Sequence, residues 1–390
     1  MKIVLRKIDK PLLITTFIMF CFGLIAIFSA SYVKASFANV SAFYYLIKQG
    51  LILLLCIFIF LVVIRIPTSL YKKYINITMY GIIVALALLF VFGKTVNGAT
   101  SWFDLGMFDF QPSELAKILL IIFLGVYYDK NKNTNNVMIV IRPLIYSLFI
   151  IVLIAFQPDL GTVMIVFLLT FLIFISLPLN KQIKRKVWII IGVGAIIVSA
   201  IFSYLYFVKD KSIINSYQLE RFNILEPCKR YTETGTGYQV CNGYIAINNG
   251  GLFGVGIGDS TQKYLYLPEA HTDFIFPIIL EEYGLTIGII ILLFYFIIIN
   301  RIYIISKKSS TLMGSIICYG VACFISLHLF VNLGGVFGLI PLTGVPLPFL
   351  SYGGTFALII TISLGVVQRI CYESKISEQY KSLENNIKER

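Results

Sequence analysis

Charge is scarce in this chain. Only 13% of its 390 residues are Asp, Glu, Lys or Arg, against 58% hydrophobic, and the mean hydropathy is +0.88. No soluble domain is built on that balance, and the chain reads as an all-α polytopic membrane protein. Histidine is scarcer still. His271 and His328 are the only two, far apart, and no other residues show metal-ligand spacing, which excludes a zinc-site reading. No small-residue cleavage site follows the first apolar run, so that run reads as a first span and not a removable leader. No appended soluble domain is visible, nor an internal repeat of the kind that marks inverted-repeat transporters.

What is present is a series of apolar runs. About ten are long enough to be spans: roughly 11–30, 46–64, 75–92, 113–128, 143–156, 160–177, 187–208, 274–299, 311–333 and 354–370. Acids number 19 against 32 basic residues, a formal net charge of +13. That excess could suggest nucleic acid, but its placement argues for topology. Windows 1–10, 65–73, 130–142, 181–186, 301–308 and 369–390 hold 22 of the 32, in alternate loops. By the positive-inside rule both termini are cytoplasmic, consistent with an even number of spans. Acids such as Asp104, Asp109, Glu114, Asp159, Glu269 and Asp273 then fall on or just inside the outer face. The expected organisation is a transmembrane domain over 1–372, with a large outer loop over 209–270 between spans seven and eight, and a charged cytoplasmic tail over 373–390.

The outer loop carries Cys228 and Cys241, the only two of seven cysteines away from the spans. That compartment permits a disulfide, the alternative being two free thiols. The second half of the loop, from Gly235 to Gly258, is rich in Gly and Asn, which favours turns and close backbone approach over regular helix. Pro341, Pro346 and Pro348 interrupt the apolar stretch 338–354. That stretch is expected to be partly re-entrant and to wall a site, the alternative being a plain connection.

Three polar constellations stand at the outer ends of spans. In Leu267-Pro-Glu-Ala-His-Thr-Asp-Phe-Ile-Phe276, Glu269, His271 and Asp273 meet the start of span eight. A half-desolvated carboxylate there is a candidate general base, while His271 also suits a plain helix start. Glu114 and Lys117 stand three apart before span four and share a face. They are either a structural ion pair or a pair in which Lys117 meets an anionic group and Glu114 orients it. Asp159 either caps span six or lines the same cavity as Asp273. Glu281 and Glu282 lie deeper and read as structural polar contacts. The residues by themselves imply an outward-facing cavity with several carboxylates, for an amphiphilic substrate.

The pattern resembles the SEDS family (shape, elongation, division and sporulation proteins), which contains FtsW, RodA and SpoVE. The matching positions are Lys48-Gln49, Trp102, Gln111-Pro-Ser-Glu114 with Lys117, Gln157-Pro-Asp-Leu-Gly-Thr162, Tyr217 to Arg221, Gly237-Tyr238, Leu267 to Phe276 with Glu281-Glu282 and Gly284, Asn332, and Val345 to Gly354. They occur in the family's order and cover most of the chain. Asn242-Gly243 and Asn248-Asn249 depart from the usual loop wording. Ser260 to Lys263 with Tyr266-Leu-Pro favours the FtsW side, although Trp102-Phe-Asp-Leu-Gly is at home in RodA. The resemblance implies a ten-helix bundle that polymerises lipid II into glycan strands, with Asp273 catalytic. Lys48, Trp102, Glu114, Lys117, Asp159, Arg221 and His271 are the implied substrate-binding candidates. A class B penicillin-binding protein is the implied partner, beside other divisome or elongation-complex proteins. A divalent cation, Mg or Mn, is a possible cofactor. A lipid II flippase and a scaffold for the transpeptidase are the rival readings.

Overall fold

The computed structural model describes residues 7–388 except 97, 107–108, 135, 190–225, 231–235 and 265. The seventh expected span, Arg221 and the first half of the outer loop lie largely outside these residues. The described helices are α1 (Lys10–Phe37), α2 (Tyr44–Val63), α3 (Thr68–Phe92), α4 (Pro112–Lys130), α5 (Met138–Ala155), α6 (Leu160–Ser176), α7 (181–189), α8 (Thr236–Gly250), α9 (Ile275–Lys307), α10 (Leu312–Val336) and α11 (Gly354–Lys388). Seven of them, α1, α2, α3, α5, α9, α10 and α11, are long and apolar enough to cross a membrane.

α4 departs from the pattern because it carries Glu114, Lys117, Asp129 and Lys130. It is nonetheless buried on nearly every side, against α3 and α10 above all. Ionisable groups inside a membrane bundle face its interior and pair there, and Glu114 and Lys117 do so at 2.7 Å. At the end of the bundle away from these residues, Asp9 caps α1 by accepting from the Leu12 N–H at 3.0 Å. It also receives Arg301 of α9 at 2.5 Å, and its backbone is held on both sides by Gln368 of α11. α11 continues unbroken past residue 372, so the charged tail extends the last span as a helix.

The structure corrects the sequence reading in two places. The chain is not wholly helical: β1 (Lys94–Val96), β2 (Ala99–Asp104) and β3 (Asp109–Phe110) form a small antiparallel sheet in the order β1-β2-β3. It holds Trp102 opposite Lys94 and Phe103 opposite Phe110. In addition, the Gly- and Asn-rich half of the outer loop includes a regular helix, α8. Its glycines serve contact and not turning. Gly243 lies against Phe274 and Pro277, and at Gly250 any Cβ would run into the Leu280 carbonyl. Tertiary packing against α9 thus overrides the weak helix propensity of these residues. Cys228 and Cys241 are joined in a disulfide, with Cα atoms 5.0 Å apart, which ties α8 to the short turn Pro227–Arg230.

α9 is broken within its length. Gly284 has φ 79° and ψ 173°, outside the helical region, a conformation glycine adopts without a steric penalty. The backbone groups freed by the break are taken up by the segment that follows α8.

Candidate functional site

A cavity of about 470 Å³ opens at the end of the bundle where α4, α6 and α9 begin. Ser101 and Trp102 of β2 form one wall, with Gln111 and Glu114 at the start of α4. Asp159 and Thr162 contribute from the start of α6. Glu269, Thr272 and Asp273 face them from the loop before α9, and the 342–346 and 352–356 stretches close the remaining side. The Pro-rich segment is therefore a wall of the site, as its sequence suggested, and is non-helical from 337 to 353.

Asp273 is held by its neighbours' backbone contacts. The carbonyls of His271, Thr272 and Asp273 each accept a hydrogen bond: from the Tyr352 N–H at 2.9 Å, from the Ser351 hydroxyl at 2.6 Å and from the Asn332 side-chain amide at 2.7 Å. The same Asn332 amide donates to the Val345 carbonyl at 2.8 Å. Asn332 of α10 thus clamps the Asp273 loop to the Pro-rich wall. The Thr272 hydroxyl, with one proton to donate, stands 3.0 Å from Asp273 Oδ1, 2.8 Å from Glu269 Oε2 and 3.1 Å from the Glu269 carbonyl. Glu269 has φ 55°, a left-handed conformation uncommon for a non-glycine residue and held here by the surrounding loop.

Asp159 carries out both roles that its sequence context left open. Its Oδ1 accepts from the Thr162 N–H at 3.0 Å, capping α6. Its Oδ2 accepts from the Gln111 side chain at 3.1 Å on the cavity wall. Glu114 lines the cavity with one oxygen bound to Lys117 and its Oε2 without a protein partner. Lys117 is behind it, wholly buried, between Glu114 and His328 Nε2 at 3.1 Å. His328 is in turn packed between the Phe324 and Phe356 rings at 4.7 and 4.6 Å.

Lys117, Lys48 and His271 do not line the cavity. Lys48 lies half-buried 5.9 Å from the Tyr44 ring. Its neighbour Gln49 is the connected member of the pair, buried and accepting from the Gly353 N–H at 3.3 Å. His271 is turned away, packed against Tyr45 at 5.2 Å and Tyr352 at 5.5 Å. Burial, with Lys34 nearby, pushes its pKa down to about 4, which keeps the ring neutral near pH 7. Among the described residues, no three His, Cys, Asp or Glu side chains gather as a metal ion would require.

The sequence did not mark His328 for the site, nor Gln239 and Thr355, which line the cavity. His328 and Asn332 left a signal: two polar residues four apart in an otherwise apolar span share a helix face. Thr355 and Gln239 left none.

The sequence pattern of the FtsW/RodA/SpoVE cell cycle proteins matches residues 10–376. The chain belongs to this family. A Bacillus subtilis (strain 168) relative named probable peptidoglycan glycosyltransferase FtsW is 37% identical, over 98% of this chain and 95% of its own length. One of the same name from Escherichia coli O157:H7 is 31% identical, over 95% and 87%. Among solved structures, a chain of a peptidoglycan synthase complex that coordinates polymerization and crosslinking superposes with a TM-score of 0.73 at 23% identity, covering 94% of this chain and 98% of that one. The Thermus thermophilus rod shape determining protein RodA superposes with a TM-score of 0.65 at 22% identity, over 94% and 97%. The fold is thus the multi-pass membrane bundle of the FtsW/RodA/SpoVE family.

Proposed function

We propose that the chain is a peptidoglycan glycosyltransferase that polymerises lipid II on the outer face of the cytoplasmic membrane. The observation that carries this reading is Asp273 on the wall of a polar cavity at one end of a membrane bundle, in a chain 37% identical to a relative named for that activity. Ten spans with both termini cytoplasmic fit the charge pattern and put the cavity outside. The FtsW names of relatives at 31–37% identity favour the division branch.

In the proposed reaction Asp273 takes the proton of the acceptor 4-hydroxyl. The new O4–C1 bond forms as the bond from C1 to the diphosphate oxygen breaks, and undecaprenyl diphosphate leaves with the electron pair. One inverting displacement needs one base, not the carboxylate pair of a retaining hydrolase. The Asn332 and Ser351 clamp supports this role by fixing the backbone from which the carboxylate projects. Trp102, Glu114 and Asp159 are the proposed substrate contacts. The leaving diphosphate needs positive charge. Lys117 is already engaged by Glu114 and His328, so Lys48 and Arg221 are the proposed cations. A single-span class B penicillin-binding protein is the proposed partner, supported by the fold shared with a chain of a synthase complex.

The test is gel-resolved polymerisation of lipid II by the purified protein with its partner. Asp273→Asn is expected to abolish product. Polymerisation at the wild-type rate would refute the assignment, and transport of labelled lipid II across vesicles without polymer would favour a flippase.

A further inference from the structure

The cavity makes no use of residues 251–258, Gly-Leu-Phe-Gly-Val-Gly-Ile-Gly, which follow α8. Their hydrogen bonds go to the break in α9. The Val255 and Gly256 N–H groups donate to the Glu281 and Glu282 carbonyls at 2.9 and 3.1 Å. The Leu285 and Thr286 N–H groups donate back to the Gly251 and Leu252 carbonyls at 3.0 and 3.2 Å. Gly254 and Gly284 meet backbone to backbone; a Cβ on Gly254 would run into the Glu282 carbonyl.

These contacts fix how deep the segment lies. Gly284 is nine residues into α9 from Ile275, roughly 13 Å at the helical rise. α1 gives a second ruler. Its Ser29 bonds Glu282 at 2.5 Å and lies five residues below Lys34 and eight below the helix end at Phe37, roughly 8 to 12 Å. Measured from the other face, Gly284 is 17 residues from Arg301 and Ser29 is 20 from Asp9, roughly 26 and 30 Å, so the segment lies in the outer part of a hydrocarbon core about 30 Å thick. Its side chains are apolar and uncovered: Leu252 is 60% exposed, Phe253 81% and Ile257 70%. Irregular backbone in that layer is favoured where its polar groups find protein partners, and the bonds above satisfy the Val255 and Gly256 N–H groups and the Gly251 and Leu252 carbonyls. The nearest exposed charge, Asp259, folds its carboxylate back over Gly256.

We propose that α8 and residues 251–264 form a re-entrant element whose tip, Leu252, Phe253, Val255 and Ile257, rests in the acyl chains of the bilayer. The 209–270 stretch is then not wholly an outer loop: after α8 it dips into the membrane and returns to the Asp273 loop. The element is anchored by Glu281 and Glu282, whose bonds to Ser260, Thr261 and Lys263 pull the returning strand against α9.

Nitroxide labels at Phe253→Cys and Ile257→Cys test this, in nanodisc-embedded protein whose exposed Cys21 is replaced by Ser. References are Phe58→Cys on the lipid-facing side of α2 and Lys229→Cys on the exposed turn. The tip labels are expected to match Phe58 in collision with oxygen and to fall severalfold below Lys229 in collision with a water-soluble nickel chelate. Nickel accessibility at the Lys229 level would overturn the proposal, as would exclusion of both reagents, which would mean a protein cover. If the cysteine variants do not assemble, Phe253→Trp gives the same decision. Extra quenching by acyl-brominated lipid, beyond that of the wild-type tryptophans, is expected; its absence overturns the proposal.

Discussion

Two buried carboxylate–lysine pairs stand near the cavity end of this bundle, and they differ in one respect. At Glu282 and Lys263 the carboxylate oxygen is shared by the Lys263 ammonium at 2.9 Å and the Ser29 hydroxyl. Beside it, Glu281 accepts from Asn249, Ser260, Thr261 and Gln262 through both oxygens. This clamp is closed at Glu281, whose two oxygens are both bonded, while Glu282 bonds through its Oε1. At Glu114 and Lys117 the pairing is equally short, 2.7 Å, but Glu114 Oε2 has no protein partner and the residue lines the cavity. A buried acceptor left unsatisfied costs stability. The Glu282 pair ties α1 and the 260–263 segment to α9; the Glu114 pair borders the cavity, with a buried oxygen left unsatisfied behind its wall. The comparison teaches that burial and charge alone do not separate clamp from site, whereas what each pair borders does.

The largest effect is expected where the closed clamp is cut. Lys263→Met leaves Glu282 buried without its cation and should cost about 3–5 kcal/mol, read as a fall in the thermal midpoint in detergent. A midpoint within error of wild type would break the comparison. Glu281→Gln keeps one acceptor but turns an amide toward the Ser260 hydroxyl and the Gln262 N–H. A loss of about 1–3 kcal/mol is expected, with any fall in activity tracking the fall in stability.

Glu114→Gln sharpens the contrast from the open side. The amide oxygen still accepts from Lys117, so the thermal cost should be smaller, about 1–2 kcal/mol. Lipid II polymerisation, measured well below the midpoint, should fall further than that cost explains. Equal losses in both readouts would make Glu114 a clamp as well.

His271 predicts a pH dependence. Its folded pKa is about 4, below the unfolded value near 6.5. Between these values the unfolded chain binds the extra proton, so its contribution to stability is full above about 6.5 and is lost as pH falls toward 4. Thermal midpoints from pH 7 to 5 should therefore fall less in His271→Gln than in wild type. The smallest effect is expected at Lys94, an exposed residue bridging Asp104 and Asp109 at 3.2 and 3.4 Å. Lys94→Ala should leave the midpoint unchanged, because exposed pairs are screened by solvent.

Much of this was legible in the residues because membrane insertion writes itself locally. Apolar run length, the Lys and Arg bias and the carboxylates at span ends follow from the cost of charge in hydrocarbon, and each concerns only a few neighbouring residues. The family motifs likewise picked out Asp273, Trp102, Glu114 and Asp159, which the fold brings to one cavity. The sequence misjudged α8, since its glycines read as turns until α9 was there to pack against. The pairing of Lys117 with Glu114 was one of two readings its spacing allowed, but nothing signalled that His328, a partner 211 positions away, would stand on the other side of Lys117.

By itself, then, the sequence determined that this chain crosses a membrane repeatedly, that its acids gather at span ends, and that Asp273 has the motif of its family. Only the tertiary structure decided which acids remain open, which lysine is hidden, and that the Gly-rich stretch pairs with a break inside α9. Hydrophobicity and charge are properties of segments. Hydrogen-bond satisfaction and depth are relations between segments, and they do not exist until those segments meet.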